Sequence, residues 1–322
     1  MTRITIIVVL IGTAFLMLPS AMNGSPLFYF DSAAYMESVS KVLKAVFHDS
    51  ETGGIATVEH FGTIDGDKIV QSGRSVYYGA LAFAGWKTTV WLPVFVQCLA
   101  LAWLVVMHAQ NLAGALWPRV SLGILAVLAF GTSAAFFAGL IMPDIWAGLG
   151  ILALALLWSD GCGASRGAKA AVFAILAFAT LSHTSHLALF AILTAGGALA
   201  RLLAHGVRPR WSGLAIPALA VLVGLAGQLT FSTAVRMTFG EPPLTRPFIA
   251  AHLVDMGPGA RFLRNSCPES DYALCEYVDR LPVSWTSFLF STSGTRGVYA
   301  AADPESRRAI VREQMPLLLD TL

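Results

Sequence analysis

Long apolar runs separated by short polar breaks dominate this chain. Seven of them approach the roughly 20 residues that a helix needs to cross a bilayer. They cover residues 4–22, 88–108, 120–141, 145–158, 168–182, 186–204 and 212–234. The pattern predicts an all-α integral membrane protein with about seven transmembrane helices. The fourth and fifth runs are short, as expected for tilted or partly submerged helices inside a bundle. The first is read as an uncleaved anchor and not as a signal peptide, because its apolar run is long for a signal core.

Between the first two runs the pattern changes. "DSAAYMESVSKVLKAVF" sets Ala34, Val39, Val42, Leu43 and Val46 on one side and Lys41 and Lys44 on the other. That spacing predicts an amphipathic helix lying on the membrane surface, with Asp31 in the N-cap place. "HDSETGGIATVEHFGTIDGDK" carries turn signals, and "QSGRSVYYGALAFAGW" leads from Arg74 through aromatic residues into the second run. Beyond residue 234, "RPFIAAHLVDMGPGARFL" predicts a short helix, a Pro-Gly turn and a second helix. "DPESRRAIVREQ" predicts a helix that starts at Asp303 and Pro304. Two domains result: a transmembrane module over 1–234, with its first outer loop at 23–87, and an extracytoplasmic segment over 235–322. The chain is also compatible with a shortened version of a longer protein.

Composition agrees with the membrane reading: 56% of residues are hydrophobic and 12% charged, where soluble domains carry about 25% charged. A net charge of +2 without a basic–aromatic cluster excludes nucleic acid as the expected partner. Charge also orients the chain. Arg3, Arg119, Arg166, Lys169, Arg201, Arg208 and Arg210 fall on one side of the predicted bundle, while "MPD" at 142–144 and "SHTSH" at 182–186 carry no Lys or Arg. Positive residues favour the cytoplasm, so the N-terminus is expected inside and residues 23–87 and 235–322 outside, in a bacterial inner membrane facing the periplasm. In that oxidising compartment Cys267 and Cys275 of "CPESDYALC" form a small disulfide loop. A zinc site would need two further ligands at metal-like spacing.

Several reactive side chains then share the outer face. Asp31 and Asp144 each stand at an outer helix end, where a carboxylate close to lipid needs a partner or a task. Capping and turn formation account for either one alone. His183 and His186, three residues apart, suit a metal or a protonated contact to phosphate, or simply fill a polar loop. Arg74 and His60 are further groups able to meet an anion. Such a gathering suits a substrate with a lipid tail and a phosphate head, a carboxylate taking the proton from an incoming nucleophile.

These residues resemble the GT-C superfamily of integral membrane glycosyltransferases. "YFDSAAYMES" stands where that family has an acidic motif in its first outer loop, with Asp31 and Tyr35 in the D-x-x-x-Y spacing. "GRSVYYGALAF" looks like the lead into the second helix, and "MPDIWAGLGILALAL" like the second acidic motif. The resemblance spans about residues 1–234. It implies transfer of a sugar from a polyprenyl-phosphate donor to an envelope acceptor at the periplasmic face. Asp31 would be the general base and Asp144 would orient the acceptor or help hold a metal. Tyr35, Arg74, His183 and His186 would bind substrate. No cofactor is required by this reading, and a divalent metal is left open. The chain departs from the family where Ser32 follows Asp31 in place of a second acid, and 235–322 matches no familiar module. The competing readings are a transporter or flippase-like subunit for a lipid-linked glycan, and a membrane-anchored assembly protein that uses its arginine-rich outer segment. Transporters place ionisable groups near mid-membrane and show repeats; here the spans contain little beyond Gln97 and Gln228.

Overall fold

The computed structural model describes residues 2–47, 70–72, 74–159, 165–203, 212–267 and 269–322. It is 78% helical, which settles the all-α class, and separates into two compact units. The first holds residues up to Phe47 together with Arg74–Phe231; the second holds Ser232–Leu322 and the described residues 70–72. The recruitment of 70–72 to the C-terminal unit has no counterpart in the sequence reading.

In the first unit, α1 (Arg3–Met22) packs on α4 (Trp91–Leu112), α5 (Trp117–Phe130) and α6 (Ala134–Gly139). The contact face mixes small and hydroxyl residues, Thr5, Gly12, Thr13 and Ser20, with Val8, Val9 and Leu16, while Ile4, Ile7, Leu10 and Leu18 point outward. Apolar side chains on the outer side are the arrangement expected where lipid is the solvent. A Cβ on Gly12 would lie 2.4 Å from a Leu125 methyl, so α1 and α5 approach closely only because that position has no side chain. α2 (Phe30–Phe47) packs on α3 (Val76–Lys87), α7 (Ile145–Trp158) on α8 (Arg166–Ser182), and α9 (Thr184–Leu203) and α10 (Ser212–Phe239) follow.

Among the described residues four helices, α1, α4, α9 and α10, are long and apolar enough to cross a membrane, and the chain is a membrane protein on that ground. Two shorter apolar helices, Gly114–Phe130 and Ile145–Trp158, join them. The run at 120–141, expected as one span, breaks at residues 131–133 between α5 and α6. The 14 residues of α7 and the 17 of α8 rise only about 21 and 26 Å against a hydrocarbon core of about 30 Å.

The second unit opens with a two-residue parallel pair, β1 (Gln71–Ser72) on β2 (Leu244–Thr245). α11 (Phe248–Asp255), α12 (Pro258–Ser266), a 3₁₀ segment (Ala273–Arg280), α13 (Trp285–Phe290) and α14 (Pro304–Thr321) enclose their own core around Leu263, Phe288 and Ile310. A disulfide joins Cys267 to Cys275, closing the end of α12 onto the 3₁₀ segment. Asp303 caps α14 by accepting from the backbone N–H groups of Glu305 and Ser306.

Candidate active site at the helix ends of the first unit

The site is organised by one backbone pairing. Leu27, in the extended stretch after α1, bridges Leu140 in parallel at the end of α6. The Leu27 N–H donates to the Gly139 carbonyl at 3.0 Å, and the Ile141 N–H donates to the Leu27 carbonyl at 3.0 Å. A helix end leaves carbonyls without helical partners, and side chains supply them here. Gln97 Nε2 donates to the Ala138 and Leu140 carbonyls at 2.9 Å each, Ser20 Oγ donates to Gly139 O, and Ser32 Oγ donates to Ile141 O at 2.8 Å. Gln97 is fully buried, and its own carbonyl accepts from the Tyr78 hydroxyl. Asp31 and Asp144 each stand four residues beyond their half of this bridge. Two loops of similar sequence, "LFYFD" and "LIMPD", are thereby aligned.

Asp31 is not the N-cap of α2. The helix begins at Phe30 and Asp31 lies within its first turn. Its carboxylate instead accepts from Arg74 Nη2 in a short ion pair, with the arginine side chain 9% and the aspartate 23% exposed. A guanidinium out of bulk water stabilises the charge more than a backbone N–H would. Arg74 is carried by the start of α3. Ser75 caps that helix by accepting from the N–H groups of Tyr77 and Tyr78, and its hydroxyl donates to the Leu181 carbonyl at 2.5 Å, next to His183. Gly79 completes the fit, since a Cβ there would fall 2.6 Å from the Tyr35 carbonyl.

Electrostatics bring the remaining residues to the same place. Burial pushes the Tyr35 hydroxyl above its ordinary range, Arg74 opposes that shift, and Asp31 and Asp144 add to it. Burial lowers the His183 pKa from 6.5, with Asp144 and Asp31 opposing the shift and Arg74 reinforcing it. Both groups thus feel Asp31, Asp144 and Arg74 at once. Tyr35 is buried and meets Tyr78 edge-on at 5.3 Å between ring centres. The carboxylate of Asp144 caps nothing, and the residue is exposed at the start of α7.

His183 is the extended break between α8 and α9, and His186 sits in the first turn of α9, their rings 5.5 Å apart. His183 Nδ1 accepts from the Ser185 N–H at 3.2 Å, which leaves the proton of the neutral ring on Nε2. His186 Nδ1 lies 3.3 Å from the Ala179 carbonyl, which suits a donor there. Among the described residues no three or more His, Cys, Asp or Glu side chains are grouped to hold a metal ion. His60 lies outside the described residues.

A groove of about 470 Å³ runs between α1, α4, α7 and α8, and every lining residue is apolar. Trp146, two residues beyond Asp144, forms part of it and meets Phe178 of α8 at 4.4 Å. Along α8 the lining extends from Ala171 to Phe178, about 10 Å at 1.5 Å per residue. In the sequence Gln97 shows only as a polar residue in a span and Ser32 only as the residue in place of a second acid, and Ser75 and Tyr78 give no signal of their own. Their partners are backbone carbonyls and a ring that only the fold brings near.

The chain is therefore a helical membrane protein with a cluster of carboxylate, guanidinium, phenol and imidazole groups at its helix ends. Comparison with protein-family models, curated proteins and solved structures finds no match.

Proposed function

We propose that this protein transfers a sugar from a polyprenyl-phosphate donor to an envelope acceptor at the periplasmic face, as its resemblance to the GT-C superfamily implies. The observation that carries this reading is the convergence of Asp31, Arg74, Asp144 and His183, with an all-apolar groove beginning two residues from Asp144. The groove takes part of the lipid tail. Arg74 and the Nε2–H of His183 meet the donor phosphate. An acceptor hydroxyl attacks the anomeric carbon, the bond from that carbon to the phosphate oxygen breaks, and Asp31 takes the hydroxyl proton. Asp144 orients the acceptor.

The resting ion pair fits this sequence of events. While Arg74 holds Asp31, the guanidinium engages the carboxylate oxygen that would take the proton. The phosphodiester monoanion of the donor competes for the same guanidinium and releases Asp31 only when donor is present. The placement of polar groups at helix ends, and not at mid-membrane, favours an enzyme over a transporter.

The test is Asp31→Asn in proteoliposomes supplied with polyprenyl-phosphate sugars. Transfer should fall by about 10²–10⁴-fold, the usual contribution of a positioned base, with the protein still folded in the membrane. Wild-type transfer by the variant would remove Asp31 from the chemistry. Mass spectrometry of lipid that co-purifies with the wild type identifies the donor.

A further inference from the structure

α11 is built inside out for a helix that faces water. It buries Ala250, Ala251 and Val254 against its own unit, while Phe248, Ile249 and Met256 stand 41%, 38% and 79% exposed. At about 100° per residue, positions 248, 249, 252 and 256 fall within one arc of about 100°, exposed Asp255 borders it about 20° beyond Phe248, and 250, 251 and 254 fall on the opposite side. Large apolar residues facing outward are also a feature of this chain's spans, which bury large apolar residues such as Leu16, Leu101 and Leu104 too. α1 buries Gly12 and Ser20 and exposes Ile7 and Leu10, and α10 exposes Leu219, Leu222, Leu225 and Leu229.

The residues beside this face have interfacial chemistry. His252, on the same arc, lies 5.5 Å from the Trp285 ring, and Trp285 in turn lies 6.3 Å from Phe290. The Arg246 guanidinium sits 5.2 Å over Phe290. The Arg246 guanidinium is buried, and the half-buried Trp285 indole is the group of the kind found where lipid headgroups meet acyl chains.

Chain length selects the occupant. The chain leaves α10, one of the four candidate spans, at Phe239 and enters α11 at Phe248. Nine residues reach no further than about 30 Å even when fully extended, so this apolar face is held permanently near a bilayer. A surface tethered at such range meets lipid at high effective concentration. We propose that the outward face of α11 docks in the membrane interface, with Phe248, Ile249 and Met256 at the acyl-chain boundary and Trp285 at headgroup level. This inference stands independently of the activity proposed above.

The experiment uses the full chain in phosphatidylcholine–phosphatidylglycerol nanodiscs. Ile249→Cys and Met256→Cys are each labelled with an environment-sensitive fluorophore. Thr292→Cys, an exposed position of the same unit, is the control. The parent carries Cys162→Ser, Cys98 is fully buried, and this parent taken through the same labelling serves as blank. Docking predicts that nitroxide carried on the upper acyl chain quenches the labels at 249 and 256 at least threefold more than the control, while aqueous iodide quenches them at least threefold less. Equal iodide quenching at all three sites would place the face in water and overturn the proposal. Protection from both quenchers would also overturn it, because the face would then be covered by polypeptide, whether a second copy or another protein. Agreement between the two labelled positions guards against a local effect of either substitution.

Discussion

Arg74 donates to Asp31 across 43 residues of sequence, and the pair is only partly open to solvent. Its energetic worth is measurable in a double-mutant cycle of Arg74→Gln, Asp31→Asn and the combined variant. Arg74→Gln leaves Asp31 without that cation and under the influence of Asp144. Asp31→Asn removes the negative charge. The double variant should be more stable than the sum of the two losses predicts, by about 2 kcal/mol, a value between those of exposed and fully buried pairs. Equilibrium unfolding in mixed micelles gives the cycle. A coupling near zero would mean that the two charges are solvated separately.

His183 makes stability depend on pH. Its pKa is lowered in the folded protein because burial disfavours the imidazolium, and Asp144 and Asp31 compensate only in part. The unfolded chain therefore binds the proton more readily than the folded one. The stabilising contribution is complete above 6.5, the ordinary histidine value, and is lost as pH falls from there through the lower folded pKa. Thermal melts between pH 7.5 and pH 5 should show midpoints that fall more steeply for the wild type than for His183→Gln. Parallel curves would mean that the imidazole titrates as it does in water.

Much of this architecture was readable from residue pattern, and the boundary of what was readable has physical causes. Apolar runs located α1, α4, α9 and α10 because a bilayer demands length and hydropathy from each span separately. The break between Phe130 and Ala134 escaped notice, since "GTS" interrupts the hydrogen-bond ladder without lowering hydropathy much. Asp31, Asp144 and His183 stood out as polar groups at helix ends. Their placement depends on the Leu27–Leu140 bridge and on isolated side-chain contacts such as Ser32 to Ile141 and Ser75 to Leu181, which have too few residues to leave any periodicity. The arginines of the C-terminal segment suggested a binding tail. Three of them donate to backbone carbonyls within their own unit: exposed Arg264 to Leu281, half-buried Arg280 to Gly297 and buried Arg307 to Tyr299. Such contacts depend on loop geometry that composition does not encode.

Gln97 is the residue through which fold and site are joined, and its removal separates positioning from chemistry. In Gln97→Leu the Leu140 carbonyl keeps the Met142 N–H, but Ala138 O and the Tyr78 hydroxyl lose their Gln97 partner in a buried setting. Each such loss costs about 1–3 kcal/mol, so a destabilisation of about 2–6 kcal/mol is expected. Tyr78→Phe removes one end of the network and should cost about 1 kcal/mol. Sugar transfer should fall in the same order, because loosening residues 138–141 displaces Asp144 from Asp31 while both carboxylates remain. Unfolding curves and transfer rates on the same preparations check the ranking. Full activity in Gln97→Leu despite the predicted loss of stability would show that the alignment of the two aspartates does not depend on the Leu27–Leu140 bridge.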